Sequence, residues 1–127
     1  MDILLDTHAV WWFLEGNPQM PDKTREIIIN AKNRKYVSIA SLWEVAIKMG
    51  IGKMDFDGGI DRFVETIESN GFILLGISPK HVKVVVGLPS IHRDPFDRML
   101  VAQAVIEDMI IMTTDANILI YKVISIW

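Results

Sequence analysis

Four acidic side chains are the strongest candidates for chemistry in this sequence: Asp6, Glu44, Asp97 and Asp115. Three of them are embedded in apolar stretches (Asp6, Glu44 and Asp115), whereas an acid that only caps a helix normally faces water. Burying several carboxylates near one another is strongly unfavourable unless a cation compensates their charge. No matching set of Lys or Arg stands beside them in the sequence. Because oxygen ligands select hard ions, the pattern predicts a Mg²⁺ or Mn²⁺ site.

A carboxylate-held metal of this kind indicates phosphorus chemistry. Mg²⁺ bound by carboxylates usually keeps several waters and also binds a substrate phosphate. The ion makes a water easier to deprotonate for attack on phosphorus, and a second ion can stabilise the leaving oxygen. The residues alone therefore predict metal-dependent phosphoryl or phosphodiester chemistry. They leave open the substrate and the choice between one ion and two.

Each acid also has an ordinary structural interpretation. Ser41 and Glu44 have the spacing of a helix capping box, and Glu44 precedes Lys48 by one helical turn. Asp94 precedes a proline at a predicted helix start, which makes it a plausible N-cap with Asp97 in the first turn. The remaining two acids precede predicted helical turns that they could cap. The combination in one chain, rather than any single acid, favours the metal site.

Short apolar strands alternating with helices must position these acids. The predicted strands cover residues 3–5, 36–38, 72–75, 109–112 and 122–126. The predicted helices cover residues 7–14, 21–32, 41–49, 60–69, 79–86, 94–108 and 115–120. This alternation predicts an α/β domain with a mostly parallel sheet covered on both faces. Ligands bind outside the carboxyl ends of such strands, where Asp6 and Asp115 are expected.

The composition restricts the class of protein. The chain has 127 residues, the usual size of one domain, and half of them are apolar, which argues against disorder. No apolar run approaches the ~20 residues that span a membrane, and the first residues have no basic region, so we expect no signal peptide. The absence of cysteine excludes disulfides and thiolate metal sites and fits a reducing compartment. We therefore expect a cytoplasmic protein.

Charge and histidine content bear on the ligand. The net charge of −3 counts against a nucleic-acid binder, which is usually basic. This objection weakens if acids are concentrated at a metal site, because a bound cation reverses the local sign. The three histidines, His8, His81 and His92, share no ligand spacing, which argues against a zinc site.

Four stretches resemble PIN domains, in particular the VapC-type ribonuclease toxins of type II toxin–antitoxin systems. They are residues 4–12 (LLDTHAVWW), 41–48 (SLWEVAIK), 92–104 (HRDPFDRMLVAQA) and 113–115 (TTD). The loop at 52–53 and the ending at 121–127 also fit this branch. Each piece alone is weak, but four in order across a chain of this length form a specific signal.

The resemblance implies both a fold and a site. It implies a single PIN-like domain over residues 1–127, an α/β fold with a three-layer α/β/α sandwich around a mostly parallel sheet. It implies an Mg²⁺- or Mn²⁺-dependent ribonuclease whose catalytic and metal-binding acids map to Asp6, Glu44, Asp97 and Asp115. Asp94 also matches the pattern, as a further ligand or as an N-cap. The resemblance also implies a homodimer and a small antitoxin that blocks the site.

Several other side chains could support this chemistry. Phosphate contacts dominate nucleic-acid affinity, and the candidate cations are Arg93, Arg98, Lys48 and Lys53. Each could equally be an ordinary solvated charge. Thr7 and Thr114 flank two of the acids, where a hydroxyl would orient a carboxylate or a metal-bound water. Thr7 could also simply cap a helix.

Two apolar features predict a partner surface. Trp11, Trp12 and Trp43 could stack bases, although packing is the more usual role of such residues. Two adjacent tryptophans on one helix cannot both face the core, so one is expected at a dimer or antitoxin surface, where Trp is enriched. The Ile27–Ile29 run has the same implication, because it is apolar around too much of its helix.

Three other classes compete with a nuclease. A signalling receiver domain would need an acidic pair beside the first strand and a phospho-acceptor Asp after a middle strand, and neither is present. A haloacid-dehalogenase-type phosphatase would need a second Asp at position 8, where His8 stands. A non-catalytic interaction module, with its acids only capping helices, stays open. Metal binding would separate it from a nuclease.

Overall fold

The computed structural model describes residues 1–127 as one five-stranded sheet covered by helices on both faces. The strands are β1 (Asp2–Leu5), β2 (Arg34–Ser38), β3 (Ile73–Leu75), β4 (Ile110–Met112) and β5 (Ser125–Ile126). The helices are α1 (Thr7–Glu15), α2 (Asp22–Ile29), α3 (Ile39–Gly50), α4 (Gly59–Ser69), α5 (Pro79–Gly87), α6 (Pro95–Glu107) and α7 (Ala116–Leu119). The predicted α/β fold with a parallel sheet is confirmed.

The sheet is parallel throughout, in the order β3-β2-β1-β4-β5. The chain builds outward from β1 through β2 to β3 and then returns to add β4 and β5 on the other side of β1. The order thus reverses at β1, and a crevice forms outside the carboxyl ends of the strands at such a reversal. Asp6 follows β1 and Asp115 follows β4 after two threonines, so neighbouring strands deliver both acids to one crevice.

Two apolar clusters hold the helices on opposite faces of the sheet. Ile3 and Leu5 belong to the cluster that includes residues of α1, α2, α3 and α4. Leu4, between them in sequence, belongs to the cluster that includes residues of α6 and α7. Alternate residues of a strand point to opposite faces, so β1 must be apolar on both. This explains the unbroken apolar run that predicted a buried strand.

Helix α3 begins earlier than the sequence suggested, and the predicted capping box is wrong. Ser38, the last residue of β2, is the N-cap, and its hydroxyl accepts a hydrogen bond from the Ala40 amide at 3.0 Å. The chain passes from strand to helix with no loop between them. Ser41 therefore lies inside the helix, which leaves Glu44 free of a capping role.

Two other elements are shorter than predicted. Helix α2 stops at Ile29 instead of reaching residue 32, because a turn follows in which Asn30 Oδ1 accepts from the Lys32 amide at 2.9 Å. Strand β5 contains only Ser125 and Ile126, and Lys122, where the strand was predicted to begin, has a φ of 57°, outside the extended region. No helix of the protein is long and apolar enough to cross a bilayer.

The tryptophans are only partly covered. Trp11 packs against the Phe56 and Phe63 rings, and Trp12 packs edge-on against Trp127. Both indoles of the adjacent pair are half-buried, so neither is left entirely on the surface. Trp43 on α3 is instead 59% exposed.

Candidate active site

A cleft without any apolar lining residue opens at the carboxyl edge of the sheet. Its volume is about 180 Å³. Its lining residues are Asp6, Thr7, His8, Glu44, Lys48, His92, Asp94, Asp97, Asp115 and Asn117. The structure thus brings together all four acids singled out in the sequence, and adds Asp94 to them. They come from the ends of β1 and β4 and from α3 and α6.

Asp6 is the most deeply buried of these acids. It is 4% exposed and is the N-cap of α1, with Oδ1 accepting from the Ala9 amide at 2.7 Å. Its Oδ2 accepts the hydroxyl hydrogen of Thr113. Burial raises the pKa of Asp6; these two hydrogen bonds and His8 oppose that rise, and the charge of Asp115 adds to it. Desolvation therefore dominates, as expected for a carboxylate that lacks a cation.

Glu44 is held from two sides. Its Oε1 accepts from the Thr7 hydroxyl at 2.6 Å, and its Oε2 lies 2.9 Å from the Lys48 ammonium nitrogen. The Ser41 hydroxyl oxygen lies 3.0 Å from that of Thr7, which fixes the threonine in turn. From the sequence we expected the Thr7 hydroxyl to orient a carboxylate, and in the structure the carboxylate that it contacts is that of Glu44.

Asp94 caps α6, so it has the role that the sequence offered as one of two alternatives. Its Oδ1 accepts from the amides of Phe96 and Asp97, at 2.8 and 3.0 Å. A cap that accepts from the first turn in this way satisfies donors that the helix leaves free. Both amides donate to the same oxygen, so Oδ2 accepts no hydrogen bond within the protein. The cap therefore does not exclude a second role as a ligand.

Asp97 carries the clearest electrostatic signature of the site. Burial, and then the negative charges of Asp94, Asp115 and Glu44, raise its pKa to about 7, while His92 acts in the opposite direction. Like charges that share a cleft disfavour ionisation of one another. The cleft therefore holds more negative charge than its own cations neutralise.

Asp115 caps α7 and is tied to Asp6 through one hydroxyl. Its side chain accepts from the Asn117 amide at 2.9 Å, and its own amide donates to Thr113 Oγ1 at 2.9 Å. The hydroxyl that orients an acid is thus that of Thr113, which is 3% exposed. Thr114 is exposed and makes no hydrogen bond to an acid, so the structure does not support the role expected of it. A hydroxyl two residues before an acid is typical of a turn that bonds back to the backbone, and that spacing was the missed signal.

His92 is another site residue that the sequence analysis missed. Its Nε2 lies 3.3 Å from Asp97 Oδ2. Its backbone is held by the Tyr121 hydroxyl oxygen, which lies 3.2 Å from its amide nitrogen and 3.3 Å from its carbonyl oxygen. From the sequence we compared only the spacing of the three histidines with one another. That comparison could not detect a cluster of one histidine and two aspartates. Its position two residues before Asp94 was the available signal.

The four candidate RNA-binding cations have different surroundings. Arg98 is engaged within the protein: its terminal nitrogens donate to the carbonyls of residues 85, 88, 89 and 92 and to the Tyr121 hydroxyl. These carbonyls include ones at the C-terminal end of α5, where a cation is favoured. These hydrogen bonds give Arg98 a structural role, and its contact with RNA stays a prediction. Lys48 pairs with Glu44, while Arg93 and Lys53 are exposed.

The donor set fits a hard divalent ion. Every acid of the cleft offers carboxylate oxygens, and three of them (Asp6, Asp94 and Asp115) cap helix N-termini. Oxygen ligands in an open cleft are the surroundings in which Mg²⁺ and Mn²⁺ bind. The same arrangement could support metal-assisted attack on a phosphodiester.

Comparisons with known proteins agree with this fold. One family pattern, described as PIN domain, matches residues 3–123. Similar solved structures include VapBC2 from Rickettsia felis (TM-score 0.75) and VapBC-1 from nontypeable Haemophilus influenzae (0.66). FitAcB from Neisseria gonorrhoeae has a TM-score of 0.65. Each is 15% identical to this chain; the similarity covers 98–99% of this chain and 96–98% of the other. No curated protein matches the sequence.

Proposed function

Because the chain belongs to the PIN-domain family, we propose that it is a Mg²⁺- or Mn²⁺-dependent endoribonuclease that hydrolyses RNA phosphodiesters. The observation that carries this proposal is the convergence of Asp6, Glu44, Asp97 and Asp115 in one polar cleft. Burial, and then the negative charges of Asp94, Asp115 and Glu44, raise the pKa of Asp97 to about 7. A cation would remove that cost, which supports a metal-binding role.

The four acids are proposed as the catalytic metal ligands, with Asp94 as a further ligand. A bound divalent ion would supply the Lewis acidity that activates water and neutralises phosphate charge. Thr7 would keep Glu44 aimed at the ion, and Thr113 would do the same for Asp6. Such outer hydrogen bonds fix the orientation of ligands and are costly to remove.

An RNA strand would reach the cleft past exposed cations and aromatic rings. Arg93 and Lys53 are exposed, and we propose that they contact backbone phosphates. A lobe of about 230 Å³ shares Asp6 and Asp115 with the cleft and includes Trp12 and Trp127 in its lining. Stacking on aromatic side chains is the usual way to hold a single-stranded base. With few cations available, affinity should depend only weakly on salt.

We further propose that the chain is the toxin of a VapC-type toxin–antitoxin pair acting in the cytoplasm. The similar structures bear the two-part names VapBC and FitAcB, and one is described as bound to a promoter DNA fragment. A small antitoxin protein would block the acidic cleft. Because the antitoxin and the RNA would share the cytoplasm with this protein, the antitoxin would inhibit RNA cleavage by binding the cleft directly.

A homodimer is part of this proposal. An apolar groove of about 170 Å³ lies between α3, α5 and α6, lined by Ala40, Trp43, Ile77, Val85, Pro95, Phe96 and Met99. Trp43, 59% exposed, packs edge-on against Phe96 at a ring distance of 5.3 Å. Exposed aromatic residues of this kind are enriched at protein interfaces. A second copy of the chain is the occupant we propose.

The alternative is a catalytically inactive PIN-like interaction module. Three of the acids are helix N-caps, so capping alone could explain why they are present. Glu44 argues against this alternative, because it lies inside α3 and caps nothing. Titration of the protein with Mn²⁺ in a calorimeter separates the two, since a module with purely structural acids would take up no ion.

The proposal is tested by incubating an end-labelled RNA pool with purified protein and Mn²⁺ or EDTA. We expect cutting that requires the metal and disappears in Asp6→Asn and in Asp115→Asn prepared identically. Because Asp6 and Asp115 also cap α1 and α7, circular dichroism must show that each variant is folded. Equal cutting by wild type and variants would indicate a contaminating nuclease and contradict the proposal.

A further inference from the structure

One histidine of the cleft lies close enough to two of its acids to share a metal ion with them. One donor atom each from His92, Asp94 and Asp97 lies within 4.8 Å of the others. We propose that His92 is a ligand of a divalent cation at this position, together with Asp97 and the free oxygen of Asp94, and that this position therefore prefers Mn²⁺ to Mg²⁺. The inference rests on the proposed function insofar as both assign a cation to the cleft.

The distances suit a shared ion. Two ligands in neighbouring positions of an octahedron, each about 2.1 Å from the ion, are about 3 Å apart. His92 Nε2 and Asp97 Oδ2 are 3.3 Å apart, so an ion could bind both atoms with only a small adjustment. The same separation also fits a hydrogen bond, and the experiment below distinguishes the two.

Contacts outside the acidic cluster hold His92 in place. The Tyr121 hydroxyl touches its backbone on both the amide and the carbonyl side. Arg98 donates to the same carbonyl at 3.3 Å and to the Tyr121 hydroxyl at 3.0 Å. The backbone position of His92 therefore does not depend on its contact with Asp97. Only the side chain of His92 has to lose conformational freedom when it binds an ion.

The chemistry of imidazole sets the expected selectivity. Mg²⁺ demands oxygen ligands in near-ideal octahedral geometry. Imidazole is a ligand of first-row transition ions, whose affinities for nitrogen sites follow a common order that begins with Mn²⁺. Of the two ions expected in the cleft, Mn²⁺ is the one that accepts a nitrogen ligand readily. Ligands made only of oxygen would give no such preference.

The direct test is pulsed electron paramagnetic resonance of Mn²⁺ added to the full-length protein. Nitrogen bound to Mn²⁺ modulates the electron spin echo, so we expect a ¹⁴N signal in the wild type. The signal should be lost in His92→Gln and retained in His8→Gln, the matched control, because His8 lines the same cleft. A ¹⁴N signal that persists in His92→Gln, or its absence in a wild type that has bound Mn²⁺, would overturn the proposal.

Calorimetric titration with MnCl₂ and MgCl₂ provides a second measurement. In His92→Gln we expect Mn²⁺ affinity to fall by at least about tenfold, the loss that even outer partners of metal ligands cause, with a smaller change for Mg²⁺. Equal losses for both ions would contradict the proposed selectivity. Mn²⁺ binding without ¹⁴N coupling would refute the role of His92 alone, whereas RNA cutting unaffected by Asp6→Asn would refute the nuclease proposal alone.

Discussion

The hydroxyl of Thr113 donates to Asp6, a residue 107 positions earlier in the chain. The same oxygen accepts the amide hydrogen of Asp115. One side chain therefore connects two of the four cleft acids, at the point where the neighbouring strands β1 and β4 end. The two acids lie together because parallel strands in register finish at the same edge of the sheet.

Removing this hydroxyl should weaken metal binding. Thr113→Val keeps the shape of the side chain but leaves a buried Asp6 oxygen without its donor, which costs about 1–3 kcal/mol of stability. The pKa of Asp6 should rise further, and we expect Mn²⁺ affinity to fall by about 10–100-fold in a calorimetric titration. Thr114→Val is the matched control and should change neither quantity. A similar loss in both variants would show that Thr113 has no special role.

The metal-free protein should lose stability as the pH rises. Asp97 has a folded-state pKa of about 7 against an ordinary value of 3.8, so between these values the folded state binds more protons than the unfolded state. The free energy of unfolding then falls with pH across this window. Chemical unfolding in EDTA at several pH values measures the slope, which should be smaller in Asp97→Asn. An unchanged slope would mean that Asp97 titrates normally.

The two acids of α6 should differ in their response to amidation. Asparagine caps helices as well as aspartate does, so Asp94→Asn should keep its stability while cleavage is only weakened. Asp97→Asn should abolish cleavage, because it removes a proposed ligand that caps nothing. Cleavage of labelled RNA with Mn²⁺, alongside thermal melts, makes the comparison. Equal losses of activity would give the two acids equal importance for the reaction.

Substitution of Arg98 should lower the stability of the protein, whereas substitution of Arg93 should weaken RNA binding. Arg98→Lys removes a planar group whose donors contact several carbonyls and the Tyr121 hydroxyl, and we expect a loss of about 1–3 kcal/mol. Arg93→Ala should leave the melting temperature unchanged and reduce the slope of log affinity against log salt by about one. Thermal melts and salt titrations of RNA binding by Asp6→Asn forms provide both values. A loss of stability in Arg93→Ala, together with a reduced salt slope in Arg98→Lys, would contradict these assignments.

Trp43 should control the oligomeric state. Trp43→Lys places a charge in the apolar groove between α3 and α6, where desolvating it would be costly. We expect a dimer of wild type and a monomer of the variant in light scattering at micromolar concentration, with unchanged circular dichroism. A monomeric wild type would refute this interface.

The sequence predicted the order of the elements with little error, and the structure brings the four proposed acids into one cleft. Apolar runs such as Ile3–Leu5 and the helix starts at Thr7 and Pro95 are local signals, because strand burial and helix capping depend on neighbours in sequence. The end of α2 and the length of β5 were misjudged because turns at Asn30 and Lys122 stop them. Those turns depend on side-chain bonds and backbone angles that periodicity does not encode.

Sequence alone predicted four acids as candidate metal ligands, and tertiary structure decided which other side chains contact them. The amino-acid types already predicted that Asp6 and Glu44 needed compensation, because a buried carboxylate is costly in any fold. Only the tertiary structure shows that Thr113, and not Thr114, donates to Asp6. It also shows that Arg98 donates to backbone carbonyls and that His92 contacts Asp97. Hydrogen bonds of this kind depend on ångström distances between residues far apart in sequence. Those distances are set by strand register and helix packing, which no local pattern contains.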